Sequence, residues 1–190
     1  MFRRRREKKT DYAKRLALLK SRKIRVVVKR SLNYIHIQFI AFEKSGDKVL
    51  LEETSKNLKR YDWKGHYGNL PSAYLTGLVA GFEALSKGIE EAILDIGLQT
   101  SIKGNALYAA ALGIKDAGVV IPMSQEMLKE RIEGLHIVAY AKTLKNENAE
   151  KYKRQFADYL KKGLEPEKLH EHFTQVKENI IKSFKSDENV

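Results

Sequence analysis

Cysteine is absent from the 190 residues, which removes disulfides, thiolate zinc sites and a cysteine nucleophile from consideration. Proline occurs three times and tryptophan once. No apolar run approaches the length of a membrane span; the nearest, residues 73–85, is short and carries Glu83. The first residues hold arginines with no apolar segment behind them, a pattern unlike a secretory signal. Recognisable cofactor motifs are missing too. The glycines form neither a Gly-Lys-Ser/Thr loop nor a GxGxxG turn, and the five histidines (His36, His66, His136, His170, His172) lack metal-ligand spacing, so no cofactor and no metal are expected.

Positive charge is present in one place. Fourteen of the first thirty residues are Lys or Arg against two acids, Glu7 and Asp11, a net +12 that equals the formal charge of the whole chain. The remaining residues are electrically neutral. Such a block repels itself and has little to bury, so it is expected to be disordered alone in water. A solvated tail is the simplest reading. The stronger one is a polyanion binder, because each phosphate neutralised releases condensed counterions, and arginine adds a planar fork for phosphate oxygens. An amphipathic membrane helix would need large apolar side chains on one face, and Phe2 is the only one before Tyr12.

Along the chain, Thr10 or Asp11 is placed to cap a short helix reaching Lys20. Strands are expected at residues 24–29, 34–42 and 48–54, joined by short turns into an antiparallel meander. Asn69 and Pro71 open a long helix over 70–87 in which Ala73, Gly77 and Gly81 form a small-residue stripe, and Gly88 ends it. A buried strand at 92–96, a helix over 103–117 and a last strand at 118–121 follow. The order βββαβα(β) predicts a three-layer α/β domain with a mixed sheet. After Pro122, helices are expected at 124–131, at 147–162 and from Pro166 onward, the last with Leu169, Phe173, Val176, Ile180 and Phe184 along one stripe. The division is a basic tail and short helix at 1–20, an α/β core at 21–122 and a helical extension at 123–190.

Residues 58–69 form a second candidate site. They hold the only Trp, two Tyr, a His and three basic residues, a mixture suited to phosphate contact with base stacking. The alternative is that Trp63 and Tyr67 plug the core edge, and composition leaves the two even. Tyr34, His36 and Gln38 on the second strand face either RNA or, more simply, water. Asp95 is the single carboxylate on a buried strand, and one carboxylate does not arrange the two metals of a nuclease.

Several strings taken together carry a resemblance: Arg3-Arg4-Arg5-Arg6-Glu7, Lys9-Thr10-Asp11-Tyr12, Val26-Val27-Val28-Lys29-Arg30-Ser31, Trp63-Lys64-Gly65-His66, Gly68-Asn69, Pro71-Ser72-Ala73-Tyr74-Leu75-Thr76-Gly77, Ala92-Ile93-Leu94-Asp95-Ile96-Gly97 and Lys103-Gly104-Asn105. In order and over residues 3–122 they resemble the universal 5S rRNA-binding proteins of the large ribosomal subunit, the protein-eighteen family, in its archaeal form. Ile24, Tyr67, Ala106 and Met123 depart from residues frequent in that family. The resemblance implies an RNase-H-like α/β core of the translational-machinery type, without nuclease carboxylates, that is not an enzyme. It implies contact with 5S rRNA, large-subunit rRNA and neighbouring ribosomal proteins in the central protuberance, on cytoplasmic ribosomes and with no membrane. Expected RNA contacts are Arg3, Arg4, Arg5, Arg6, Lys8, Lys9, Tyr12 and Arg15 in the tail; Arg22, Lys23, Arg25, Lys29, Arg30 and Asn33 around the first hairpin; and Trp63, Lys64, His66, Tyr67, Asn69, Tyr74, Lys103 and Asn105 further on. A nucleic-acid enzyme on a similar fold and a general basic RNA chaperone are the alternatives.

Overall fold

A computed structural model describes residues 2–123 and 129–187. The chain opens with one helical turn, α1 (Arg3–Arg6), and a short helix, α2 (Tyr12–Lys20). Asp11 is the cap of α2, its carboxylate accepting from the Ala13 and Lys14 amides at 3.0 and 3.1 Å. Strands β1 (Ile24–Arg30), β2 (Ile35–Glu43) and β3 (Gly46–Thr54) form the expected meander. β4 (Ala92–Asp95) then adds in parallel beside β1, giving a mixed sheet of order β3-β2-β1-β4. Val26 lies opposite Phe39 on one side and Leu94 on the other.

Alternation along the strands decides which face is covered. Val26, Val28, Ile35, Ile37, Phe39 and Leu51 are buried beneath two helices, α3 (Leu70–Ser86) and α4 (Ala106–Asp116). Arg25, Val27, Lys29, His36 and Gln38 line the other face, over which the N-terminal segment lies. The small-residue stripe of α3 works as a close-approach seam. A Cβ on Gly77 would overlap the Ala110 carbonyl, and one on Gly113 would overlap that of Tyr74, so α3 and α4 touch backbone to backbone.

Two expectations in this region change. Residues 118–121 do not form a strand but a single parallel bridge, Glu91 to Val120, because only Val120 exchanges backbone hydrogen bonds, with Glu90 and Ala92. The helix expected at 103–117 starts instead after Asn105, whose side chain caps it by accepting from the Leu107 and Tyr108 amides.

The C-terminal part is helical: α5 (Lys129–Ile132), α6 (Leu135–Glu147), α7 (Ala149–Gln155), α8 (Ala157–Lys161) and α9 (Leu169–Asp187). Residues 124–128 of the helix expected at 124–131 lie outside the described residues. Helix α6 has no counterpart in the sequence reading. The helix expected at 147–162 is two, α7 and α8, broken at Phe156, whose backbone (φ −106°, ψ 21°) leaves the helical range. Leu169, Phe173, Val176 and Ile180 of α9 are buried in the same core as the sheet and α3. Among the described residues, Ala141, Leu144, Tyr152 and Phe156 form a separate small cluster.

Candidate nucleic-acid interface

The basic N-terminus is hooked back on itself. The Phe2 and Tyr12 rings stack with centroids 4.9 Å apart, Arg4 Nε donates to Thr10 Oγ1 at 2.8 Å, and Lys9 pairs with Glu7 at 3.0 Å. Arg3–Arg6 form a helical turn with all four side chains exposed. Between the hook and the outer sheet face lies a cleft of about 300 Å³ lined by Arg4, Lys9, Lys14, Arg15, Arg25 and Lys29, with Asp11, Asp47 and Asp95 among them.

Arg25 is the anchor of this cleft and is only 3% exposed. Its Nη1 donates to Asp95 and its Nη2 to Asp47, both at 2.8 Å, while Arg15 of α2 reaches the other oxygen of Asp47 at 2.9 Å. A buried guanidinium requires such compensation, since an unpaired charge there is costly. The network ties α2 to the sheet. Arg25 is therefore spent on carboxylates and does not present its fork to a ligand.

The second group sits at the tip of the β1–β2 hairpin. Ser31 closes the turn, its hydroxyl accepting from the Tyr34 amide and its own amide donating to the Tyr34 carbonyl. Arg30, Leu32 and Asn33 project at the tip, Leu32 being 91% exposed. The aromatic–basic loop packs beside it. Gly68 abuts the backbone of Leu32 and Asn33, and Tyr67 stacks on Tyr34 at 6.1 Å. The Gly68 amide donates to His66 Nδ1 at 3.0 Å, which requires a lone pair on that nitrogen. Burial lowers the His66 pKa, and nearby Lys162 and Arg30 push the same way against Asp158.

Trp63 lies inside the loop, 2% exposed. Gly65 lies against the indole, and His172 of α9 stacks on it, centroids 5.2 Å apart and planes 16° apart. The indole N–H donates to the His66 carbonyl at 3.4 Å. This is the core-edge plug of the two sequence readings, and the ring is not open to a base. Tyr74 is buried as well. Its hydroxyl donates to Asp116 at 2.8 Å, and burial, followed by that carboxylate, drives its pKa up. Asn69 caps α3 by accepting from the Ser72 amide and donates to the Tyr159 hydroxyl.

Residues 1–90 match the family model of ribosomal large subunit proteins 60S L5 and 50S L18. Over that stretch the chain is similar to this ribosomal family. No helix among the described residues is long and apolar enough to cross a membrane.

The expected contact residues divide into three sets. Arg3, Arg4, Arg5, Arg6, Lys8, Lys9, Arg22, Lys29, Arg30, Asn33, Lys64, His66 and Lys103 are exposed. Tyr12, Arg15, Tyr67, Asn69 and Asn105 are half-buried, and Lys23 is paired with Glu91. Arg25, Trp63 and Tyr74 are buried and hold the framework. The sequence reading assigns no site role to Asp47, Tyr159, Lys162 or His172. Lys162 covers the Tyr67 ring at 4.8 Å and reaches the Gly65 carbonyl at 3.5 Å. No sequence signal links it to a loop nearly a hundred residues earlier.

Proposed function

We propose that this chain is a ribosomal protein of the large subunit that carries 5S rRNA and moors it to large-subunit rRNA in the central protuberance, beside the other 5S-associated protein, in a subunit of archaeal type. It does so without catalysis. Residues 1–20 act as the cationic tail, 21–122 as the RNA-binding core and 123–190 as the helical support. Arg3–Lys9 neutralise phosphates, joined by Arg22, Lys29, Arg30 and Asn33. Lys64, His66 and Tyr67 extend the contact from the loop beside the hairpin tip, and Lys103 adds a further cation.

The observation that supports this most is the confinement of the chain's entire excess charge to the first thirty residues, with all four arginines of α1 exposed. A block of this kind binds phosphate-rich partners with steep salt dependence. Trp63 and Tyr74 serve by packing the loop and long helix rather than by touching nucleotides.

The test is a binding comparison between 5S rRNA and a scrambled RNA of equal length at fixed salt. Tighter binding of 5S rRNA, with the RNA recovered intact, is the expected result. Equal affinity points to a general RNA chaperone, and cleavage dependent on divalent metal points to an enzyme.

A further inference from the structure

The loop that carries Lys64, His66 and Tyr67 lies inside the stretch matched to the ribosomal family, but part of what holds it comes from outside that stretch. Three side chains of the C-terminal helices reach it. Lys162, just past α8, covers the Tyr67 ring and contacts the Gly65 carbonyl; Tyr159 accepts from Asn69; and His172 of α9 engages both Trp63 and Lys64. The His172 contact has a chemical requirement the others lack. The Lys64 backbone amide donates to His172 Nε2 at 3.0 Å, so that nitrogen must be unprotonated.

We propose that His172 is a positioning residue for the RNA-contacting loop, holding the Lys64 segment through the acceptor nitrogen of its neutral imidazole and releasing it on protonation. The inference rests on the reading of that loop as an RNA contact. Stacking on Trp63 fixes the ring plane, and the accepted hydrogen bond fixes the backbone that aims the Lys64 side chain outward. A proton on Nε2 converts the acceptor into a donor facing another donor. The bond is then broken and two positive charges stand together, the imidazolium and Lys64.

The groups that act on the ring favour the neutral form. Burial lowers its pKa first and the Lys64 ammonium second, while Asp62 opposes them. Lys162, the cation that α8 contributes nearby, is engaged by Gly65 and Tyr67. Because the folded protein binds this proton less readily than the unfolded chain does, the loop is fully held above the ordinary histidine range. The hold weakens as pH falls through the folded value.

Full-length protein supplies the experiment. Two readouts are followed across the histidine range: the protection of the Lys64 amide against hydrogen exchange, corrected for intrinsic rate, and affinity for 5S rRNA. Fluorescence of the single tryptophan, Trp63, reports on the stack. In the wild type, protection and affinity should fall together as pH drops. His172→Gln keeps an acceptor and cannot take the proton, so it should flatten both curves. His172→Phe keeps the stack without the acceptor, so Lys64 should exchange about tenfold faster than in the wild type above the histidine range, the effect of removing one hydrogen bond, and the two should converge as pH falls.

Unchanged Lys64 protection in His172→Phe overturns the proposal. So does a His172→Gln variant that follows the wild-type pH curve. If His172→Phe does not fold, the wild-type and His172→Gln curves decide. Failure of the wild type to prefer 5S rRNA over scrambled RNA would remove the functional reading, while Lys64 exchange would still decide the positioning role.

Discussion

Arg25 on β1 and Asp95 at the end of β4 meet on the outer face of the sheet, Nη1 to Oδ2 at 2.8 Å, across a parallel strand pair separated by seventy residues of chain. The same guanidinium holds Asp47 from the β2–β3 hairpin, so one side chain joins both flanks of the sheet. Replacing Arg25 with Ala leaves the partly buried Asp95 without its counter-charge and Asp47 with Arg15 alone. We expect a loss of about 2–4 kcal/mol in denaturant unfolding. A variant as stable as the wild type would show that the network is not a structural anchor.

Trp63 belongs to the same class of framework residue. Trp63→Ala opens a cavity between the loop and α9 and should cost about 3–5 kcal/mol. The check is cooperative thermal unfolding. Full stability combined with weakened RNA binding would return the ring to the contact surface.

The α3–α4 seam leaves no space for a methyl group at Gly77. The obstacle is the Ala110 carbonyl, which belongs to backbone and cannot rotate away. Gly77→Ala should destabilise by about 3 kcal/mol or more. Gly163→Ala, at a glycine with open space around it but φ +71°, should suffer only the backbone strain, a smaller effect in the same melt.

Deleting residues 2–9 removes six basic side chains. The slope of log affinity for RNA against log salt should become shallower by about 0.7–0.9 for each phosphate that is no longer neutralised. An unchanged slope would take the hook out of the binding mechanism.

Glu53 supplies a pH test independent of RNA. Its side chain is buried on β3. Burial first, and the Glu83 carboxylate second, raise its pKa from 4.5 to about 7, against the hydrogen bond from Asn57 and the charge of Arg60. A folded value above the unfolded one means the native state holds the proton more tightly. Its stabilising contribution is complete below the unfolded value and is lost as pH rises through about 7. Glu53→Gln, neutral at all pH and still able to accept from Asn57, should therefore gain about 1–2 kcal/mol on the wild type at pH 8, once solvent screening is allowed for, and much less at pH 5. Equal differences at both pH values would contradict this.

Much was legible along the chain because its causes are local. Asp11 and Asn69 announce helix starts through side-chain oxygens set beside free amides, and Gly88 announces a stop through its left-handed backbone. The apolar alternation from Ile35 to Phe39 marks a strand with one covered face. The charge block is a property of the sequence and needs no fold to be seen.

Tertiary structure decided the rest, because it depends on which distant groups arrive at one place. Composition left Trp63 balanced between plug and platform; His172, more than a hundred residues away, settled it by occupying the ring. Arg25 read as a free cation until Asp47 and Asp95 converged on it. A charged or aromatic side chain has the same composition whether it is buried or exposed, so its role is set by the desolvation and pairing that only packing supplies.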